Sequence, residues 1–336
     1  MHGMIYRAAS YVYRNTLLKV YRDYKERRHN EFWKEHRECH GRLNPDKTFF
    51  IVRRTNTYSG LLSLMMTHLM RIDEAVKRGC IPVVDMQNNF NVYLSEDRIG
   101  KENAWEYYFE QPMGYNLKDI RKSKNILYGS GDVPEAFPYN DVRFASGESG
   151  ELQYWRELAH KYIRLNHKTE QYVQNLEKQL FAPGDRVVGV KCRGTDYLRA
   201  KPEGHPRQPS VEQIIHKTEE VMQEHECNKI FLATEDEKMY DAFAEYFKDM
   251  VVTNKQEYVH YEKGPIGQVV YREDTKERYM EGLEYLSQIV ILSRCNCFVA
   301  GLTSGTIGAM FLTKGYEYSY IFDLGLYSRE EYNGFR

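Results

Sequence analysis

Short apolar runs recur along this chain, and each ends at polar, glycine- or proline-rich residues. Between them lie longer stretches of helical periodicity. Thr48–Val52, Ile81–Asp85 and Asn125–Tyr128 read as strands, with a helix from Leu61 to Arg78 between the first two. A short helix is expected around Ala104–Phe109. Gly147 to Leu180 reads as two helices, broken by Phe181-Ala182-Pro183-Gly184-Asp185. The rhythm then repeats more cleanly. Val187–Cys192, Lys229–Thr234, Val251–Thr253, Cys297–Ala300 and Tyr320–Asp323 read as strands. Helices are expected from Ser210, over Lys238–Phe247, Tyr279–Ser293 and Thr303–Leu312, with a loop joining Arg193 to Ser210. Ser210 followed by Gln213 spells a capping box. Val187–Cys192 is apolar almost throughout, as strands buried on both faces are.

Strand–helix–strand alternation predicts an α/β protein with doubly wound sheets. The breakers near residue 183 divide it into a helical segment, 1–45, a Rossmann-like domain with a helical linker, 46–182, and a second Rossmann-like domain, 183–336. Residues 4–38 form the expected N-terminal amphipathic helix, with Ile5, Val12, Leu17, Leu18, Tyr21 and Tyr24 among many Arg and Lys residues. A basic amphipathic helix can lie on an anionic membrane surface. The acids interleaved towards its end favour packing on the domain or an oligomer contact instead.

Composition narrows the function classes. The 47 basic and 48 acidic residues leave a net charge of −1, which argues against a general nucleic-acid binder. The six cysteines have no paired C-x-x-C spacing, so neither zinc binding nor a disulfide framework is expected. Reduced thiols and the lack of an apolar run of signal or membrane-spanning length predict a cytoplasmic protein. The 28 tyrosines suit sugar or base contacts, although packing accounts for most of them.

Three strand ends carry candidate chemistry. Arg193-Gly194-Thr195-Asp196 follows the most apolar strand, where open α/β sheets bind ligands. Arginine grips phosphate bidentately, and Gly194 would let a ligand approach the backbone. An internal Arg193–Asp196 ion pair is the plainer account. Glu235 and Asp236 end the strand Phe231-Leu232-Ala233-Thr234, placed to accept ribose hydroxyls or to cap the next helix. Gly301-Leu302-Thr303-Ser304-Gly305-Thr306 joins a strand to a helix and offers an anion site at a helix N-terminus, or simple capping. The loop 199–209 holds Glu203 and His205, two plausible general bases. Together these ends suggest a nucleotide-diphosphate pocket. The chain has no Walker A pattern, no G-x-G-x-x-G after a strand and no D-x-D at a strand end, so a P-loop hydrolase, a dinucleotide dehydrogenase and a metal-bridged site are not indicated.

At these motifs the sequence resembles the fucosyltransferase superfamily. The likeness is closest to the α-1,6-fucosyltransferases, including the rhizobial nodulation enzymes, and weaker to the protein O-fucosyltransferases. Arg193-Gly194-Thr195-Asp196 is similar to that family's Arg-Arg-Thr-Asp segment, and Leu232-Ala233-Thr234-Glu235-Asp236 to its Leu-Ala-Thr-Asp-Asp. Leu286-Ser287-Gln288 through Thr303-Ser304-Gly305 resembles its third motif, and Thr55 to His68 its first glycine-containing loop and helix. The resemblance implies a GT-B architecture, two Rossmann-like domains facing across a cleft. It also implies inverting transfer of a sugar, fucose from GDP-fucose, onto a hydroxyl of a glycan acceptor, with no metal or other cofactor. Arg193 matches the arginine that grips the departing β-phosphate, and Asp196 the acid after it. Glu235 and Asp236 match the acidic pair near the nucleotide, and Thr303, Ser304 and Gly305 the turn beneath the diphosphate. Lys191 stands where the family has His, and Gln288 where it has an acid, both associated with reading guanine. Lysine accepts no hydrogen bond; Glu284, one helical turn before Gln288, could substitute for the acid. Glu203 is the nearest candidate for the family's base.

Two other classes fit the same residues. One is a sulfotransferase whose phosphate loop is Arg53-Arg54-Thr55-Asn56-Thr57-Tyr58-Ser59-Gly60. The other is a non-catalytic nucleotide-sugar or glycan binder.

Overall fold

A computed structural model describes residues 31–55, 59–134, 138, 140–254 and 275–333, with the backbone alone for 195–197 and 275–277. Among these residues the strands form two sheets. The first comprises β1 (His36–Glu38), β2 (Leu43–Val52), β3 (Ile81–Val84) and β4 (Ser123–Tyr128), in the order β1-β4-β2-β3. The pairs β2–β3 and β2–β4 are parallel, and β1 lies antiparallel on β4. The second holds β5 (Val187–Lys191), β6 (Lys229–Ala233), β7 (Val251–Val252), β8 (Cys297–Gly301) and β9 (Tyr318–Phe322), in the order β7-β6-β5-β8-β9 and parallel throughout. The fold is therefore mixed α/β with largely parallel sheets. From β5 the chain steps outward through β6 and β7, then returns to β8 on the other side. The switch point between β5 and β8 is where such sheets bind ligands.

Helices α1 (Leu61–Lys77), α2 (Leu117–Ile120), α3 (Val142–Ala145), α4 (Leu152–Tyr162) and α5 (His167–Leu180) precede β5. Helices α6 (Thr195–Ala200), α7 (Val211–Glu224), α8 (Glu237–Phe247), α9 (Thr275–Leu292) and α10 (Ser304–Leu312) follow it. A short 3-10 turn replaces the helix expected near Ala104. The capping box opens α7: the Ser210 hydroxyl accepts from the Gln213 amide at 3.2 Å, and the Gln213 side chain accepts from the Ser210 N–H at 2.9 Å.

Two expectations change. The N-terminal helix does not reach residue 38, because residues 36–38 pair as β1; its residues 4–30 lie outside the described ones. Arg53 supplies the physical reason. Its buried guanidinium donates to the backbone oxygens of Gly129 (2.8 Å), Phe32 (2.7 Å) and Lys34 (3.1 Å). It also lies against the rings of Phe32, Trp33 and Tyr128 at 4.9, 5.2 and 5.0 Å. Such contacts contribute roughly 0.5–2 kcal/mol each and outweigh local helical preference. Nor does the chain run as a loop from Arg193 to Ser210, since α6 occupies its start. That helix ends where Lys201 turns left-handed (φ 46°) before Pro202, which cannot continue it.

One face of each sheet lies on a shared apolar core, and the opposite faces pack in clusters of their own. Helix α10 is buried along nearly its whole length. Arg156 of α4 donates to the Met310 carbonyl at 3.0 Å, and Phe144 meets Phe311 edge-on at 6.2 Å. Arg294, just past α9, pairs with Glu170 and Glu177 of α5, each at 2.9 Å. Among the described residues no helix is long and apolar enough to cross a membrane.

Candidate active site

Parallel pairing sets Lys191 beside Ala233 on one side and Ala300 on the other. The residues just past these positions therefore share one carboxyl edge, at the switch point. Lys191 is 4% exposed, and its ammonium lies 3.3 Å from the Ala233 carbonyl, 3.4 Å from that of Cys192 and 3.6 Å from Glu235 Oε2. Arg193 Nε lies 3.9 Å from Glu235 Oε1. One carboxylate thus serves two cations at ion-pair distance, and its buried Oε1 accepts no hydrogen bond.

Helix α10 starts beside Lys191. Thr303 caps it, accepting from the Thr306 N–H at 3.2 Å, while Thr306 Oγ1 donates to the Gly301 carbonyl at 2.6 Å. Ser304 is exposed in the first turn. Gly305 is buried, and a Cβ there would lie 3.2 Å from Lys191 Cε and 3.0 Å from the Tyr285 hydroxyl. The lysine stem therefore runs against the positive end of the α10 dipole, a region suited to negative charge.

Asp236 sits at the rim. It caps α8, accepting from the Lys238 N–H at 3.0 Å. Its carboxylate packs so closely on Gly194 that a Cβ there would overlap it. Gly194 thus makes room for Asp236, whereas the sequence suggested room for a ligand. The side chain of Asp196 lies outside the described ones. Gln288 is buried on α9, and Asn254, past β7, ties down the turn before it by donating to the Glu284 carbonyl (3.2 Å) and Ser287 Oγ (2.9 Å). Glu203 is exposed on the turn after α6.

Two groups carry more weight than their sequence signal. Tyr285 has its hydroxyl pushed up to about 12, by burial first, with Arg193 and Glu235 acting in opposite directions. It remains a neutral hydrogen-bond donor at physiological pH. In sequence it is one tyrosine of 28 on an amphipathic helix, with nothing to mark it. His205 is half-buried, and burial followed by the Arg193 charge lowers its pKa.

No protein-family model and no curated protein sequence matches the chain. Solved structures do. NodZ alpha-1,6-fucosyltransferase soaked with GDP-fucose is similar at 14% identity over 86% of this chain and 98% of its own, with a TM-score of 0.49. POFUT1 in its apo form is similar at 12% identity over 83% of this chain and 99% of its own, TM-score 0.48. An Arabidopsis thaliana FUT1 mutant in complex with GDP is similar at 10% identity over 86% and 73%, TM-score 0.48.

Proposed function

We propose that the protein is a glycosyltransferase of the GT-B kind, moving fucose from GDP-fucose onto a glycan hydroxyl with inversion and without a metal. The observation that carries this reading is the shared carboxylate at the switch point. Lys191 at the end of one central strand and Arg193 just past it both lie at ion-pair distance from Glu235, and the lysine stem abuts the N-terminus of α10. In this reading the second sheet belongs to the donor half, 183–336, the first to the acceptor half, 46–182, and the enzyme works in the cytoplasm. The sequence resemblance at the three motifs supplies the donor.

The chemistry follows from charge. Breaking a sugar–phosphate bond leaves growing negative charge on the diphosphate oxygen. Arg193, Lys191 and the first turn of α10 are preorganised to meet it, so they act more strongly on the transition state than on the bound donor. Tyr285 offers a neutral donor beside them. Thr303, Ser304 and Gly305 shape the turn under the phosphates, and Asp236 holds α8 in place beside Gly194. Gln288 and Glu284 are the α9 groups proposed to face the base. The sulfotransferase alternative loses support, because Arg53 is spent on the N-terminal segment and Arg54 donates to Ser63 Oγ and Thr67 Oγ1, each at 3.1 Å.

A thermal-shift panel tests the class. GDP is expected to raise Tm, whereas adenosine 3′,5′-bisphosphate is not; the reverse would sink this reading. Transfer from GDP-fucose is expected to persist in excess EDTA, and loss restored by a divalent metal would contradict the metal-free chemistry.

A further inference from the structure

The loop after α6 carries two groups able to take a proton, and the fold treats them differently. Glu203 points into solvent on the turn. His205 is half-buried on a stretch fastened from several directions. Gly204 N–H donates to the Tyr327 carbonyl at 3.0 Å, and Tyr327 N–H returns to the His205 carbonyl at 2.9 Å. Pro206 pairs antiparallel with Leu326, and Arg207 N–H donates to the Gly325 carbonyl at 2.9 Å. The Arg207 guanidinium grips Glu331 with bonds of 2.6 and 2.5 Å and lies over the Tyr327 ring at 5.4 Å. Asn333 N–H closes on the Ala200 carbonyl at 3.0 Å. Gln208 Nε2 pins the far side to the Leu302 carbonyl at 3.0 Å, on the turn leading into α10. From the first half of the chain, Asn140 Nδ2 reaches the Gly204 carbonyl at 3.1 Å.

We propose that His205, not Glu203, takes the proton of the acceptor hydroxyl in the transfer reaction. This rests on the transferase reading above. The acceptor oxygen forms a bond to the anomeric carbon while the carbon–oxygen bond to the β-phosphate breaks. The electron pair leaves with the diphosphate towards Arg193 and Lys191. The proton from the acceptor passes to the imidazole and then to solvent, so atoms and charge balance. A general base needs a fixed position and a protonation state that is empty at working pH. The clamps hold the backbone on both sides of His205. Of the charged groups on the surrounding elements, Arg207 and Glu331 neutralise each other and Glu203 faces solvent. Burial first, and then the charge of Arg193 past β5, disfavour protonation of the His205 ring.

The test uses the full chain, radiolabelled GDP-fucose and a glycan array as the source of acceptors. His205→Gln and His205→Asn are expected to bind GDP with the wild-type Kd by calorimetry while transfer falls by roughly 10²–10⁴-fold. The wild-type rate is expected to fall as pH drops below the ordinary histidine range, and that limb to vanish in both variants. Glu203→Gln is expected to keep its activity and the limb. Folded His205 variants that transfer at the wild-type rate, or a loss confined to Glu203→Gln, would overturn the assignment. So would a wild-type protein that binds GDP yet labels no glycan. A wild-type protein that binds no GDP would instead fail the transferase reading itself.

Discussion

Arg193 and Lys191 lie two residues apart on one strand end, yet their surroundings ask different things of them. Lys191 is buried, and an ammonium out of water must be neutralised and hydrogen-bonded, here by two carbonyls and Glu235. Arg193 is more exposed and lies at the outer limit of ion pairing with the same carboxylate. Its greater exposure makes it the cation more open to an approaching ligand. Arg193→Ala is expected to fold normally and to lose roughly 3–4 kcal/mol of transition-state stabilisation, by analogy with removing one oxyanion donor. Near wild-type kcat/KM for GDP-fucose in a folded variant would refute the role. A second residue carries a pH signature. His68 is fully buried and its pKa falls to about 3, chiefly through desolvation and then through Arg54. The unfolded chain binds that proton near pH 6.5, whereas the folded chain refuses it until about 3. Stability therefore declines as pH falls through this window, by up to about 1.4 kcal/mol per pH unit from this residue. Urea titrations at pH 7 and 5 are expected to show a smaller loss in His68→Gln than in the parent, and equal losses would contradict the assignment.

At the scale of elements, the apolar strands were legible because burial on both faces leaves continuous Val, Ile, Leu and Phe runs. The α7 cap was legible because its chemistry is local. The misses share a cause. Strand β1 owes its state to Tyr128 and Arg53, partners remote in sequence, and His36 stacks on Tyr128 at 4.9 Å. Helix α6 lies between Gly194 and Pro202, residues that read locally as turn punctuation. The site was half legible. Lys191, Arg193 and Glu235 stand at strand ends, where parallel topology predicts them together. Tyr285 joins only through tertiary packing, whereas the loop sequence offered His205 beside Glu203 without separating them. Gly194 shows how an element can depend on one such contact. An alanine there pushes the Asp236 carboxylate from its place, and with it the cap of α8. Losing a cap costs about 0.5–2 kcal/mol and overpacking roughly 1–3. Gly194→Ala is expected to destabilise by about 1–3 kcal/mol in chemical denaturation, and an unchanged midpoint would show that Asp236 relocates freely.

Over the whole molecule, α10 is the element that joins the two sheets' surroundings. Its N-terminal turn faces Lys191 and Tyr285, while its later turns pack on α1 and α4 of the other half. The contact is close at Gly308, where a Cβ would lie 2.6 Å from Leu62 Cδ1 and 3.4 Å from Ile289 Cγ2. A larger side chain there must move Leu62 or shift the helix. A helix shift is felt at both ends, because densely packed interiors transmit strain. Gly308→Val is accordingly expected to lower stability by roughly 1–3 kcal/mol and to weaken GDP binding, although no atom of residue 308 belongs to the proposed pocket. Leu62→Ala removes the obstructing methyls at its own cavity cost. In the double variant GDP affinity is expected to recover further than stability, since the helix can return to its place while the lost apolar contacts cannot. Calorimetric titration of GDP beside urea denaturation of the four proteins separates the two effects. If Gly308→Val loses stability but binds GDP with the parental Kd, α10 absorbs the strain before its first turn, and the interface and the site are independent.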